Sequence, residues 1–306
     1  MQLGMIGLGR MGGNMAERLL RAGHQVIGTS RSRQTVDQAA ARGITPVYSL
    51  EDLVAALTPP RAVWVMVPAG EPTEEMLQQA ATMCAAGDIL IDGGNSYYKD
   101  SMRRGAELEE QGLHFVDVGT SGGVWGLQEG YSLMVGGAPE PVEALRPLFE
   151  ALAPAPDRGW AHLGPVGAGH YTKMVHNGIE YGMMQALAEG FAIMERRQEL
   201  GLDLRAVAET WRHGSVIRSW LLDLVAEGLA EDADLCDIAP YVPDSGEGRW
   251  TAAEAIELDV PAPVITLSLL QRLRSRDDRC FSDRILAMMR RQFGGHAVRR
   301  EGEDGK

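Results

Sequence analysis

Apolar residues in the first half of the chain fall into short runs separated by polar, glycine-punctuated stretches. Gln2 to Ile6, Gln25 to Thr29, Ala62 to Val67, Asp88 to Ile91, Phe115 to Val118 and Ser132 to Val135 each read as a short buried strand. Segments with helical spacing lie between most of them. Alternation of that kind predicts a doubly wound sheet with helices on its faces. Several strands run into glycine-rich loops: Pro68-Ala69-Gly70, Asp92-Gly93-Gly94-Asn95-Ser96, Ser121-Gly122-Gly123 and Gly136-Gly137. In such folds this edge of the sheet binds ligands.

Beyond residue 163 the strand signal fades. Pro154 to Gly164, rich in Pro, Ala and Gly, reads as a hinge between domains. Helical periodicity then dominates: a segment free of proline past Leu200, then Leu204 to Trp211, Ser219 to Ala230, Pro263 to Arg274 and Asp283 to Phe293. Gly294-Gly295 would stop the last helix. Asp244 to Thr251 reads as a loop, with a helix from about Ala252. The expectation is an α/β Rossmann-type domain over 1–163, an all-α domain over 164–296, and a charged, disordered tail over 297–306.

Composition narrows the function classes. With 45% hydrophobic and 23% charged residues the chain reads as an ordinary globular protein of about two domains. Its net charge of −13, from 29 basic and 42 acidic residues, argues against nucleic-acid binding but leaves room for a local cationic pocket. No apolar run approaches ~18 residues, so no membrane span is expected. Met1 leads straight into a strand, leaving no room for a signal peptide. Cys84, Cys236 and Cys280 are scattered without metal-ligand spacing and read as reduced thiols, so a cytoplasmic protein without a metal is expected.

The first strand is followed by Gly7-Leu8-Gly9-Arg10-Met11-Gly12, then a helix and a second strand. In that context G-x-G-x-x-G is a dinucleotide fingerprint: glycines for the tight turn and close approach of pyrophosphate, and free N–H groups at the helix start. The second strand ends in Thr29-Ser30-Arg31-Ser32-Arg33, with two guanidinium groups and no carboxylate for a ribose 2′-hydroxyl. A 2′-phosphate fits this better, so NADP is favoured over NAD.

The densest chemistry lies between 164 and 187. At ~100° per residue Lys173, His176, Asn177, Glu180 and Tyr181 share an arc of roughly 140° on one helix. Gly178, Gly182, Ala186 and Gly190 form a smooth ridge on the far side, where another element could approach closely. Lys173 and Glu180 are two turns apart, ~10.5 Å along the axis. A base and an acid so separated can both reach a small substrate.

The run from Gly167 to Tyr181 resembles the signature helix of the 6-phosphogluconate dehydrogenases, the decarboxylating enzymes of the pentose phosphate pathway, and the likeness extends over nearly all of the chain. It implies oxidative decarboxylation of 6-phospho-D-gluconate to D-ribulose 5-phosphate and CO2, with Lys173 as base and Glu180 as the final acid. It implies that Gly7 to Gly12, Val67, Pro68 and Ala69 border the cofactor, and that Ser30-Arg31-Ser32 stands for the family's Asn-Arg-Thr, which receives a 2′-phosphate. Asn95 would lie where cofactor and substrate meet. Ser121, Gly122, Gly123, His176, Asn177, Tyr181 and Arg272 would touch the substrate, as would Arg290 and His296 of the ending Arg290-Arg291-Gln292-Phe293-Gly294-Gly295-His296. That ending comes from the partner subunit in the family, so a homodimer, or a dimer of dimers, with exchanged tails is expected. The chain departs from long members in lacking a second helical repeat, and Ser245 stands where they carry a phosphate-binding lysine, which Arg274 or Arg276 would have to replace. The alternative is a β-hydroxyacid dehydrogenase of the 3-hydroxyisobutyrate or tartronate semialdehyde type, sharing the glycine turn, Ser-Gly-Gly and the lysine. A non-catalytic NADP sensor is a third reading, opposed by the intact Lys173 and Glu180.

Overall fold

A computed structural model describes residues 1–294, 297 and 298. In order, β1 (Gln2–Ile6), α1 (Arg10–Arg21), β2 (Gln25–Thr29), α2 (Arg33–Ala40), β3 (Thr45–Pro46), α3 (Leu50–Ala56), β4 (Ala62–Val65) and α4 (Glu71–Met83) form the first half of a sheet with its helices. The second half is β5 (Ile89–Asp92), α5 (Tyr98–Glu109), β6 (His114–Ser121), the short α6 (Gly126–Glu129), β7 (Ser132–Gly137), α7 (Pro139–Leu152) and β8 (Trp160–Gly164). The helices that follow are α8 (Ala168–Arg196), α9 (Leu204–Arg212), α10 (Trp220–Glu231), α11 (Glu247–Glu257), α12 (Pro263–Arg274) and α13 (Phe281–Gly294).

The strands lie in the order β3-β2-β1-β4-β5-β6-β7-β8, parallel except where β7 runs antiparallel to β6. Strand side chains alternate between faces, and each face has its own core. Leu3, Met5, Trp64 and Ile91 pack on one face; Ile6, Val63, Val65 and Leu90 pack on the other. This is the expected doubly wound α/β architecture, followed by helices.

Three local expectations need correction. Pro154 to Gly164 is not simply a hinge, because Trp160–Gly164 pairs in parallel with β7; its largely exposed residues carry no buried-strand pattern. Thr45–Pro46 adds an unpredicted two-residue edge strand, where a proline is tolerated. The segment read as a loop up to Thr251 is already helical from Glu247, which brings Glu247 and Thr251 onto one helix one turn apart.

Contacts divide the chain into two compact units. The first is Met1–Glu180 with Glu247–Asp259, and the second is Tyr181–Gly246 with the described residues from Val260 onward. The second unit has a small core of Ala208, Leu222, Ala226 and Leu229, against which Leu187, Phe191 and Trp211 pack.

Candidate active site

The turn after β1 is built for a dinucleotide. Gly7 has φ +99°, a left-handed value that disfavours a side chain, and its N–H donates to Thr29 O at 2.8 Å. A Cβ there would run into the Met66 carbonyl and lie 3.1 Å from Val67 Cγ1, so the residues leaving β4 lie against the turn. Pro68 and Ala69 follow, exposed. At the start of α1 no side chain caps the helix and no acidic residue occupies its first turn. Nothing lies within 4 Å of the Cβ position of Gly9, beside the exposed Arg10. Free N–H groups, the positive end of the helix dipole and open space fit the pyrophosphate of NAD or NADP.

At the end of β2, Ser30 is half-buried and Arg31 exposed. The Ser32 hydroxyl accepts from Thr35 N at 3.4 Å, capping α2. The Arg33 guanidinium stacks 4.4 Å over the Tyr48 ring, whose hydroxyl donates to Asp37 at 2.6 Å.

The loop after β5 is held from beneath. Buried Asp92 accepts from Gly94 N at 3.0 Å, Ser96 Oγ at 2.7 Å and Arg104 Nη1 at 3.1 Å. Arg104, itself buried, donates through Nε to Glu74 at 2.7 Å. The hydrogen bond from Arg103, joined by that from Arg104, overrides the cost of burial and holds the Glu74 carboxyl down at about 2. Asn95, at φ 53°, donates Nδ2–H to Thr120 O at 3.1 Å and accepts from Thr120 N at 2.8 Å. Its amide therefore clasps the end of β6, where Ser121, Gly122 and Gly123 leave the strand, and keeps one N–H to offer a ligand. Asn14 of α1 reaches the same loop, donating to Val124 O at 3.5 Å.

The long helix α8 is anchored from the sheet. Buried Asp117 of β6 accepts from Gly167 N and His170 N, each at 2.7 Å, satisfying N–H groups at the helix start that have no intrahelical partner. His170 Nδ1 is bonded to Ser101 Oγ at 2.7 Å. Gly119 of β6 abuts the stem of Lys173, leaving no room there for a side chain. Lys173 is only 5% exposed, and its Nζ donates to Asn177 Oδ1 at 2.6 Å, with His176 Nδ1 at 3.4 Å. Burial lowers the Lys173 pKa below its ordinary value, and the charges of Glu180 and Glu247 pull the other way. Glu180, half-exposed, has its Oε2 3.9 Å from His176 Nδ1. The first unit thus gathers Lys173, His176, Asn177 and Glu180 on one helix as expected, in the same compact body as the glycine turn, Asn95 and Ser121 to Gly123. The glycine ridge opposite is used in part. A Cβ on Gly178 would lie 2.6 Å from Thr251 Cγ2, whereas nothing approaches Gly190.

In the second unit, buried Tyr181 carries the Arg272 guanidinium 3.4 Å above its ring centroid. Arg272 also donates to Pro243 O at 3.1 Å, and the Tyr181 hydroxyl accepts from Ser245 N at 3.3 Å. Arg274 and Arg276 are each engaged by a carboxylate, Asp283 and Asp244, both at 2.7 Å. Arg290 is exposed on α13. His296 and the tail from 299 lie outside the described residues. Among the described residues no cluster of His, Cys, Asp or Glu could hold a metal ion, and no helix is long and apolar enough to cross a membrane.

Sequence reasoning missed Asp117, Arg104 and Glu247. The first two sit among apolar strand residues and in a helix of ordinary charged composition. Glu247 was masked by the loop reading, although Glu247 and Thr251 have the i, i+4 spacing of a shared helix face.

Residues 2–164 match the family model described as the NAD binding domain of 6-phosphogluconate dehydrogenase. Residues 169–304 match the 6-phosphogluconate dehydrogenase C-terminal domain. The chain is 45% identical over 303 residues to a Haloferax volcanii protein named 6-phosphogluconate dehydrogenase, NAD(+)-dependent, decarboxylating, covering 98% of this chain and 99% of that one. It is 38% identical over 289 residues to the NADP(+)-dependent, decarboxylating 6-phosphogluconate dehydrogenase of Bacillus subtilis, covering 90% of this chain and 61% of that protein. Among solved structures, Plasmodium falciparum 6-phosphogluconate dehydrogenase, described in its apo form and with NADP+ or 6-phosphogluconate, superposes with a TM-score of 0.83 at 28% identity, over 99% of this chain and 67% of that chain.

Proposed function

The chain belongs to the 6-phosphogluconate dehydrogenase family, and from that premise we propose that it converts 6-phospho-D-gluconate to D-ribulose 5-phosphate and CO2 in the pentose phosphate pathway. It is an NAD(P)-dependent oxidoreductase, and bound NAD(P) supplies the hydride acceptor. The observation that carries this reading is Lys173, a buried amine whose pKa burial lowers, set on one helix with Asn177, His176 and Glu180.

The uncharged amine of Lys173 takes the proton from the C3 hydroxyl as that carbon is oxidised to a ketone. The resulting ammonium polarises the new carbonyl oxygen and returns its proton there as the bond from C2 to the carboxylate breaks and CO2 leaves. Glu180 then protonates C1 of the enediol while the neutral Lys173 takes back the proton of the C2 hydroxyl, giving the ketose. Asn177 and His176 orient the amine and contact substrate hydroxyls. Ser121, Gly122, Gly123 and the remaining Asn95 N–H serve the substrate. Tyr181 and Arg272, with Arg290 and His296 of a partner subunit, serve its phosphate in a homodimer. The Ser245 position contributes its backbone N–H to Tyr181 in place of a lysine charge. NADP is the favoured cofactor, through Arg31, and the three free cysteines suit a cytoplasmic enzyme.

Solved 3-hydroxyisobutyrate dehydrogenases share the fold at 23% identity, but the match of residues 169–304 to the 6-phosphogluconate dehydrogenase C-terminal domain supports the decarboxylating reading over the plain β-hydroxyacid dehydrogenase one. A substrate panel tests the assignment: 6-phosphogluconate, gluconate, 3-hydroxyisobutyrate and glycerate, each with NADP and NAD, following cofactor reduction and CO2. The expected result is equimolar reduced cofactor and CO2 with 6-phosphogluconate alone. Preferential reduction with a short hydroxyacid and no CO2 would overturn it.

A further inference from the structure

We propose that Glu247 is a positioning residue of the active site, a second carboxylate that acts on substrate chemistry through Lys173. The inference rests on the reading of Lys173 as the base. Glu247 is the first residue of α11, and Thr251 lies one turn further along the same face. The Thr251 hydroxyl donates to Met174 O at 2.8 Å, and its methyl packs against Gly178, so this face of α11 is pressed onto α8 beside Lys173. That approach requires glycine at 178, because a Cβ would sit 3.0 Å from Thr251 Oγ1 as well.

Glu247 is 7% exposed, and its Oε2 is buried without a hydrogen-bond partner. An unpartnered carboxylate oxygen in that setting is costly unless a positive charge or a donor faces it. Lys173, the neighbour of Met174 on α8, is the cation on which the charge of Glu247 acts, across space and without a hydrogen bond between them. Its Nζ donates to Asn177 Oδ1 at 2.6 Å and lies 3.4 Å from His176 Nδ1, which is itself 3.0 Å from the same Asn177 oxygen. His176 lies 3.4 Å from this amine and the charges of Glu180 and Glu247 act on it, while β6 and α11 also carry Asp117, Arg249 and Glu254. Asp117 is occupied by the Gly167 and His170 N–H groups, and Glu254 accepts from Tyr98 at 2.8 Å. Glu247 and Glu180 are the two whose charge raises the proton affinity of Lys173, against the burial that lowers it. Unlike half-exposed Glu180, Glu247 is shielded from water and holds its field through the reaction, which needs Lys173 first neutral and then charged.

The test reads Lys173 without any substrate. Acetylation of Lys173 by acetic anhydride is followed by peptide mass spectrometry across pH, in the wild type and in Glu247→Gln. The labelling midpoint is expected to move to lower pH in Glu247→Gln and to stay near the wild-type value in Glu247→Asp. Glu247→Ser, smaller and also uncharged, repeats the measurement should the amide not be accommodated. The acid limb of kcat/KM should move in the same direction. An unmoved midpoint in a folded uncharged variant overturns the proposal, even if activity falls. A moved midpoint in an enzyme inactive on 6-phosphogluconate would leave it standing and sink the substrate assignment instead.

Discussion

Lys173 Nζ donates to Asn177 Oδ1 at 2.6 Å, one helical turn further along α8, in a pocket that leaves the lysine 5% exposed. An amine held this way is kept in one rotamer by its neighbour while burial favours its neutral form. Lys173→Met should therefore lower kcat by roughly 10²–10⁴-fold, the ordinary worth of a general base, with NADP binding preserved. Stopped turnover with intact cofactor titration is the expected pair of results, and near-normal kcat would remove Lys173 from the chemistry.

The same burial predicts a stability effect with a definite sign. The folded pKa of Lys173 is depressed, so between it and the unfolded value the unfolded chain binds the extra proton and stability rises with pH. Lys173→Met abolishes that dependence. The variant should melt no lower than the wild type at neutral pH, and its advantage should shrink as pH rises toward the ordinary lysine range. A thermal shift series settles the sign; a growing advantage with pH contradicts the desolvation argument.

Much of this site could be read from residue spacing, because a polar stripe at helical period survives whatever packs behind it. The strand–glycine–helix opening was readable for the same reason, being local. Long-range pairings were not. That the Asn95 amide clasps Thr120, or that Asp117 caps α8 from the sheet, depends on contacts 25 and 50 or more residues apart that no window contains. β8 escaped because its pairing with β7 rather than its own apolar pattern makes it a strand. Glu247 escaped because Ser245-Gly246 and Gly248 resemble a loop, while packing against Gly178 stabilises the helix there.

Arg104 joins Asp92 and Glu74 beneath the Asn95 loop. Arg104→Leu would strand the buried Asp92 carboxylate, at a cost of about 3–5 kcal/mol, and chemical denaturation should show it. The acid side has its own signature. Glu74 is depressed to about 2, so its contribution is fully present above pH 4.5 and is lost as pH falls toward 2. Glu74→Gln should flatten the stability curve in that window, and an unchanged slope there would mean that the Arg103 and Arg104 contacts contribute nothing in solution.

Arg31 is exposed at the end of β2, where a ribose 2′-substituent would lie, while Ser32 is engaged as the α2 cap. Charge-assisted hydrogen bonds are worth ~1.5–3 kcal/mol, so Arg31→Ala should raise the KM for NADP by about tenfold or more and leave NAD nearly unchanged. The NAD(+)-dependent Haloferax relative makes the control essential. Equal losses on both cofactors, or a wild-type preference for NAD, would return Arg31 to an ordinary surface role.

Arg290 lies exposed on α13, near the end of the described chain, and His296 follows beyond it. If these residues complete the pocket of a neighbouring subunit, defects in the tail and in α8 must complement across a dimer. An Arg290→Ala chain and a Lys173→Met chain, each nearly inactive, are mixed under conditions that exchange subunits. In a mixed dimer one pocket carries both defects and the other neither. By the two-fold count, activity should recover to about half of wild type per mixed dimer, or roughly a quarter after random exchange at equal amounts. Light scattering and a mass-tagged chain establish that exchange took place. Exchange without recovery would mean that the tail serves its own subunit, since each mixed dimer would then hold one defect in every pocket.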